Sequence, residues 1–240
     1  MSLWFIVAYA RKRLDTVDTA WGLGFVVAAW AVAVQQGGAR SWLIAGLVSV
    51  WGVRLAWHIG RRSLKRSRED PRYVELSAKW QGNFWLMAYL RIFLLQGALI
   101  WIISLPVVMV AGSRITRLGW LSVVGVAIWA IGFDFEAIAD RQLANFINAK
   151  DHPKILQTGL WRYSRHPNYF GELVQWWAIG LIALQARGGW VGLIGPLTLT
   201  WLIVFVSGIP PIEKRRQKDA EYRAYQLRTS PLVPLPPRQR

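Results

Sequence analysis

The chain has 240 residues, of which 54% are hydrophobic and sixteen are tryptophan, a composition that argues against an ordinary soluble domain. Its formal charge of +16 suggests nucleic acid at first sight, but the basic residues are sorted along the chain as membrane topology sorts them, which argues against a nucleic-acid partner. Cysteine is absent, which excludes disulfides and thiolate metal sites, and no metal is expected.

Uncharged windows cover 1–10, 19–39, 41–53, 92–113, 118–133, 173–186 and 188–212. A helical span needs about 20 mainly apolar residues. The 19–39, 92–113 and 188–212 windows meet that length alone. The others do so when a charged residue near one end reaches an interface or a polar cavity. The pattern predicts an all-α integral membrane protein of about seven transmembrane helices, a single membrane domain over 1–240. With the N-terminus outside, 23 basic residues fall on one face and 4 on the other, so the C-terminus is expected in the cytoplasm. All thirteen acidic residues fall on that same face or its membrane edge. Residues 1–10 read as a short span rather than a signal peptide, because no small-residue cleavage site follows.

In chain order, a short first helix is expected at 2–11. Asp18 stands near the start of the second, where the helix dipole favours a carboxylate. The third, at about 41–60, carries Arg54, His58 and Arg61 at helical spacing toward its cytoplasmic end. Residues 61–80 read as a cytoplasmic loop in which Glu69 to Tyr73 make a turn with local ion pairing. The apolar run 81–113 is too long for one perpendicular span. It reads as an interfacial start followed by a span from about 91, with Pro106 kinking or ending it. The fifth helix, about 118–135, continues into charged sequence. There Glu136 and Asp140 share a face and suggest a ribose- or metal-binding edge. Lys150 and Lys154 follow as candidate phosphate contacts. The last two helices are placed at about 168–186 and 189–208, ended by Pro210-Pro211. The tail carries Glu213, Arg215, Tyr222 and Tyr225, and finishes in an extended Pro-rich segment.

The stretch 159–172 mixes side chains that packing alone does not require. Gly159 permits a cap or a close approach. Arg162, Arg165 and His166 form a basic cluster suited to phosphate. Pro167 opens a helix whose first turn holds Asn168, near N–H groups that favour anions. Trp161, Tyr163 and Tyr169 can stack on a flat heteroaromatic ring, and Glu172 adds a carboxylate. The composition points to a nucleotide pocket at the cytoplasmic edge, with the half 118–230 carrying the cofactor motifs.

Residues 160–172, Leu-Trp-Arg-Tyr-Ser-Arg-His-Pro-Asn-Tyr-Phe-Gly-Glu, resemble the signature of the bacterial DUF1295 family, which is related to the C-terminal domain of steroid 5-alpha-reductases. Supporting matches are Asp18 with Trp21-Gly22, Trp51-Gly52-Val53-Arg54-Leu55 with His58, Asp70-Pro71-Arg72-Tyr73, Glu136 to Asp140 with Gln142-Leu143, and Glu213-Lys214-Arg215 with Tyr222 to Tyr225. The Arg-His-Pro core also resembles isoprenylcysteine carboxyl methyltransferases. The resemblance implies a bacterial inner-membrane protein holding NADPH on its cytoplasmic face. It places Glu136, Asp140 and Asn168 at cofactor-contacting positions, Arg61 at a phosphate contact, and Asp18 and His58 on the substrate side. Hydride would reach the β carbon of a steroid-like or other lipophilic enone, with His58, oriented by Asp18, or Arg54 as the acid at the carbonyl oxygen. Two competing expectations are a membrane methyltransferase using S-adenosylmethionine and a non-catalytic lipid-binding membrane protein. Substrate identity and oligomeric state are not encoded in any motif.

Overall fold

The computed structural model describes residues 1–64, 68–111 and 118–238. The first helices are α1 (Ser2–Arg11), α2 (Thr16–Gln36), α3 (Ala39–Leu64) and α4 (Pro71–Ser77). They are followed by α5 (Phe84–Ala88), a π-helical stretch (Tyr89–Leu94), α6 (Leu95–Ile103) and α7 (Leu105–Ala111). Beyond these lie α8 (Trp120–Asn148), α9 (Pro167–Ala183), α10 (Ile194–Trp201), a second π-helical stretch (Leu202–Val206), α11 (Ile209–Arg216) and α12 (Ala220–Arg228). Short 3-10 turns cover Gly159–Arg162 and Gly189–Leu193. Among the described residues there is no strand, only a parallel bridge between Ser164 and Ser230.

Five helical stretches are long and apolar enough to cross a membrane: Thr16–Gln36, Ala39–Leu64, Phe84–Ile103, Trp120–Asn148 and Gly189–Arg216. The other two expected spans are the helices α1 and α9, of 10 and 17 residues. Contacts divide the chain into two compact units, Met1–Leu118 with Ala186–Gly192, and Gly119–Gln185 with Leu193–Arg240.

Each unit is built on one close helix pair. In the first, a Cβ on Gly22 of α2 would lie 2.5 Å from the carbonyl oxygen of Gly52 on α3, and one on Gly52 would lie 2.6 Å from that of Gly22. In the second, a Cβ on Gly132 of α8 would lie 2.8 Å from the Gly171 carbonyl oxygen on α9, and one on Gly171 would lie 2.5 Å from that of Gly132. Small residues let apolar helices approach when lipid supplies no hydrophobic drive between them. Two outward-facing tryptophans have their N–H groups satisfied within the protein. Trp30 donates to Ser49 Oγ (2.8 Å), which donates to the Ala45 carbonyl (2.6 Å). Trp177 donates to Thr200 Oγ1 (3.1 Å), which donates to the Pro196 carbonyl (2.7 Å).

Three boundaries differ from the sequence reading. The helix expected from about 91 begins at Phe84, where the Asn83 side chain accepts from Leu86 N (3.1 Å) and caps it, so Arg91 lies inside this candidate span. Pro210-Pro211 do not simply end a span: they occupy the first turn of α11, after a bend at Ser207-Gly208. The segment Glu69 to Tyr73 has the expected local ion pair, Arg72 with Asp70, but it starts a helix rather than making a turn. Asp70 caps α4 through Arg72 N (2.9 Å) with Pro71 in its first turn, and Asp70 and Tyr73 are buried. The Glu69 carboxylate accepts from Leu14 N (3.1 Å) and Asp15 N (2.7 Å), tying this segment to the start of α2.

The glycine contacts yield a paired prediction. Gly52→Leu should destabilise the protein by roughly 1–3 kcal/mol or more, because backbone stands where the side chain must go. Gly46→Ala, at a position with open space around its Cβ, should be neutral or stabilising by up to about 1 kcal/mol. Thermal unfolding in one detergent checks both.

Candidate functional site

In the first unit, α2, α4 and α6 bring polar groups together inside an apolar cluster. The Tyr73 hydroxyl donates to Asp18 Oδ1 (2.5 Å), and Arg72 Nη2 pairs with Asp18 Oδ2 (2.6 Å). Arg72 Nε also reaches Asp70 Oδ1 (3.1 Å). Gln96 hydrogen-bonds the phenol, and its own Oε1 is buried without a partner among the described residues. Around them Val17, Ile92, Phe93 and Ala88 form the core that includes the Tyr73 ring. Burial pushes the Tyr73 hydroxyl well above its usual value, helped by the Asp18 charge and opposed by Arg72 and Gln96. Tyr73 is therefore a neutral phenol at physiological pH, held by a carboxylate that an arginine compensates.

The expected pairing of His58 with Asp18 is replaced. Both Asp18 oxygens are engaged by α4, because the helix that starts at Asp70-Pro71 turns Tyr73 and Arg72 toward α2. His58 and Arg54 are half-buried on α3, and Arg61 is exposed with its guanidinium 5.4 Å from the Trp57 ring centre.

In the second unit, α8 and α9 place carboxylates against carboxamides. Asn168 Nδ2 donates to Asp140 Oδ1 (3.2 Å), and one turn along α8, Gln175 Nε2 donates to Glu136 Oε2 (2.6 Å) and to the Gly171 carbonyl (3.2 Å). Glu136 and Gln175 are 2% and 1% exposed, so neither is a solvated extension of the helix. Both amide oxygens, Asn168 Oδ1 and Gln175 Oε1, are buried and have no hydrogen-bond partner among the described residues. Both N–H groups of Gln175 are thus spent on the protein, whereas Asn168 spends one on Asp140, and the two amide oxygens are left as acceptors.

The connecting loop is fixed by its own hydrogen bonds. Gly159 adopts φ 59°, and a Cβ there would collide with the Gln142 side chain, whose Oε1 accepts from Leu160 N (3.0 Å). Trp161 Nε1 donates to the Ala139 carbonyl (3.1 Å). His166 stacks on Tyr169, with ring centres 5.5 Å apart and planes 14° from parallel.

Arg165 is not the open phosphate contact that the motif suggests. Its Nε and Nη2 bind Glu213 Oε1 (2.8 and 2.7 Å), and its Nη1 donates to the carbonyls of Gln226 (3.0 Å) and Thr229 (2.6 Å). Its side chain is only 8% exposed, since α11 and the tail close over it. His166 Nε2 lies 3.4 Å from the same Glu213 oxygen and is buried. Of the cations that the sequence proposes for phosphate in this unit, Arg162, whose guanidinium lies 6.0 Å from the Tyr163 ring centre, and Lys150, Lys154 and Arg215 are exposed. Glu172 is half-buried on α9. Tyr222 is buried, with the Arg216 guanidinium 5.4 Å from its ring centre.

Sequence reading missed Gln175 and Gln96, each a lone amide in an apolar window. The signal for Gln175 was its spacing: it lies two turns after Asn168 on one helix face. Tyr73 was passed over inside a presumed loop, although Asp-Pro is a helix-start signature.

The DUF1295 family model, described as a protein of unknown function, matches residues 4–229. Uncharacterized protein C594.04c of Schizosaccharomyces pombe is 25% identical, over 97% of this chain and 75% of its own length. No solved structure matches.

Tyr73, Tyr222 and Tyr225 are all raised by burial, so their contribution to stability is fully present below the ordinary tyrosine value of 10.0 and is lost as pH rises through their higher folded values. Absorbance titration of tyrosinate should show these three ionising only with alkaline unfolding. Tyr73→Phe should leave the part of the curve below pH 10 unchanged.

Proposed function

From the premise that the chain belongs to the DUF1295 family, a family of unknown function, we propose that it is a membrane reductase of a carbon–carbon double bond in a lipophilic enone, using NADPH. The observation that carries this reading is the buried Tyr73 phenol, aimed at an arginine-compensated Asp18. A neutral donor in apolar surroundings is what a carbonyl oxygen needs as negative charge develops on it. When bound, NADPH would supply hydride to the β carbon of the enone. Tyr73 would turn its O–H from Asp18 to the carbonyl oxygen, while Arg72 stays paired with Asp18 and Gln96 steadies the phenol.

The second unit's residues fit the cofactor in part. Asp140, Glu136 and the partnerless oxygen of Asn168 are acceptors suited to ribose hydroxyls. Exposed Arg162, with Lys150, Lys154 and Arg215, is suited to the phosphates. The positive-inside bias supports a cytoplasmic C-terminus and an outer N-terminus, and the reading takes seven spans in a bacterial inner membrane, with lipids and an apolar substrate as partners.

One observation favours a second reading. Arg165 is committed to Glu213 and backbone carbonyls, and the α8–α9 wall is acceptor-rich, which suits a phosphate-free, cationic nucleoside such as S-adenosylmethionine.

Calorimetric titration of the detergent-solubilised protein with NADPH, NADH and S-adenosylmethionine separates these readings, and binding of none would favour a non-catalytic lipid-binding protein. We expect NADPH to bind more tightly than NADH, and Arg162→Ala to narrow that gap. Saturable binding of S-adenosylmethionine alone would sink the reductase reading. Tyr73→Phe should slow enone turnover by about 10²–10⁴-fold with NADPH affinity unchanged.

A further inference from the structure

The C-terminal segment carries an arrangement that the cofactor reading does not use. Residues 226–235 run against 161–166 through a series of bonds. Arg165 N donates to the Ser230 carbonyl (2.8 Å), Ser164 Oγ to the Leu232 carbonyl (2.7 Å), and Leu235 N to the Tyr163 carbonyl (3.0 Å). The Tyr225 hydroxyl donates to the Trp161 carbonyl, and Thr229 Oγ1 lies 3.4 Å from that of Arg162. The parallel bridge between Ser164 and Ser230 belongs to the same contact. At its centre the Arg165 guanidinium binds Glu213 on α11 with one edge and the Gln226 and Thr229 carbonyls with Nη1. Gln226 Nε2 reaches the other Glu213 oxygen (3.2 Å).

We propose that Arg165 is a positioning residue: with Glu213 it straps residues 226–235 onto the loop 161–166, and the strap sets the placement of Arg162 and Asn168. Residues 230–238 form no helix, and the four prolines at 231, 234, 236 and 237 donate no N–H, so the segment gains its order from the loop it lies on. Only Arg provides the planar fork that serves a carboxylate on one edge and carbonyls with its other nitrogen. Lysine keeps the charge and loses the second connection. The consequence for ligand affinity rests on the nucleotide reading above, whereas the strap itself does not.

Hydrogen exchange on the full chain in detergent, without ligand, tests the strap. In Arg165→Ala, amides of 161–166 and 226–235 should exchange about tenfold faster or more, with α8 residues 120–135 unchanged. Arg165→Lys should be intermediate. Unchanged exchange in the strap segments of either variant overturns the proposal.

Leu235→Pro removes one strap N–H and leaves every Arg165 contact in place. It should weaken whichever of NADPH or S-adenosylmethionine the wild type binds, by about fivefold or more. Lost affinity in Arg165→Ala with Leu235→Pro at wild-type affinity would make Arg165 a direct ligand contact and overturn the positioning role. If the wild type binds neither nucleotide, the nucleotide reading fails and the exchange result alone decides the strap.

Discussion

A polar group buried without a partner costs roughly 1–3 kcal/mol, and this chain carries many of its polar side chains on helices apolar enough to span a bilayer. Lipid offers no hydrogen bonds, so pairing must occur inside the protein. The structure meets much of that constraint by pairing unlike elements, and among the described residues leaves the amide oxygens of Gln96, Asn168 and Gln175 unmet. Glu69 serves the free N–H groups at the start of α2. Gln175 serves Glu136, and Ser49 and Thr200 serve tryptophans on the outer surface. Arg165 serves a carboxylate and two backbone carbonyls at once.

Close helix approach and polar pairing are linked on α8 and α9. Because Gly132 and Gly171 lack side chains, the two helices come close enough for Gln175 to reach Glu136 across the contact. A larger residue at 171 would meet the Glu136 backbone nitrogen, 2.5 Å from an added Cβ, and would separate the pair. The glycine of the Phe-Gly-Glu motif is thus a packing requirement that sets a polar geometry. Gly22 and Gly52 hold α2 and α3 in the same way, on the helix that carries Asp18.

The helices were legible in the sequence because uncharged windows and turn clusters are local signals. The extension of α8 through Glu136 and Asp140 followed from helical spacing alone, and both residues do lie on one buried face. Two parts of the site were illegible for the same reason. Whether Tyr73 meets Asp18 depends on the angle at which α4 returns to α2, and the partners are 55 residues apart. Whether Arg165 faces a ligand or the protein depends on Glu213 and the tail, 48 and more residues away. An arginine beside a histidine and an asparagine has the same sequence pattern in either case. The chemistry of the guanidinium fork permits both, and only its long-range partners decide.

The commitment of Arg165 changes what the surrounding residues can select. A phosphate site needs donors that remain available after folding, and at least four guanidinium hydrogen bonds of this residue are made within the protein. In the nucleotide reading, discrimination would then fall to exposed Arg162 and to the acceptors Asp140, Asn168 and Glu136. An exposed guanidinium contributes a screened, modest attraction. The buried amide oxygens of Asn168 and Gln175, without a hydrogen-bond donor among the described residues, would impose a steeper penalty on a ligand that fails to satisfy them. In the nucleotide reading, hydroxyl and amine donors on the ligand would therefore weigh more in recognition at this wall than the number of its phosphates.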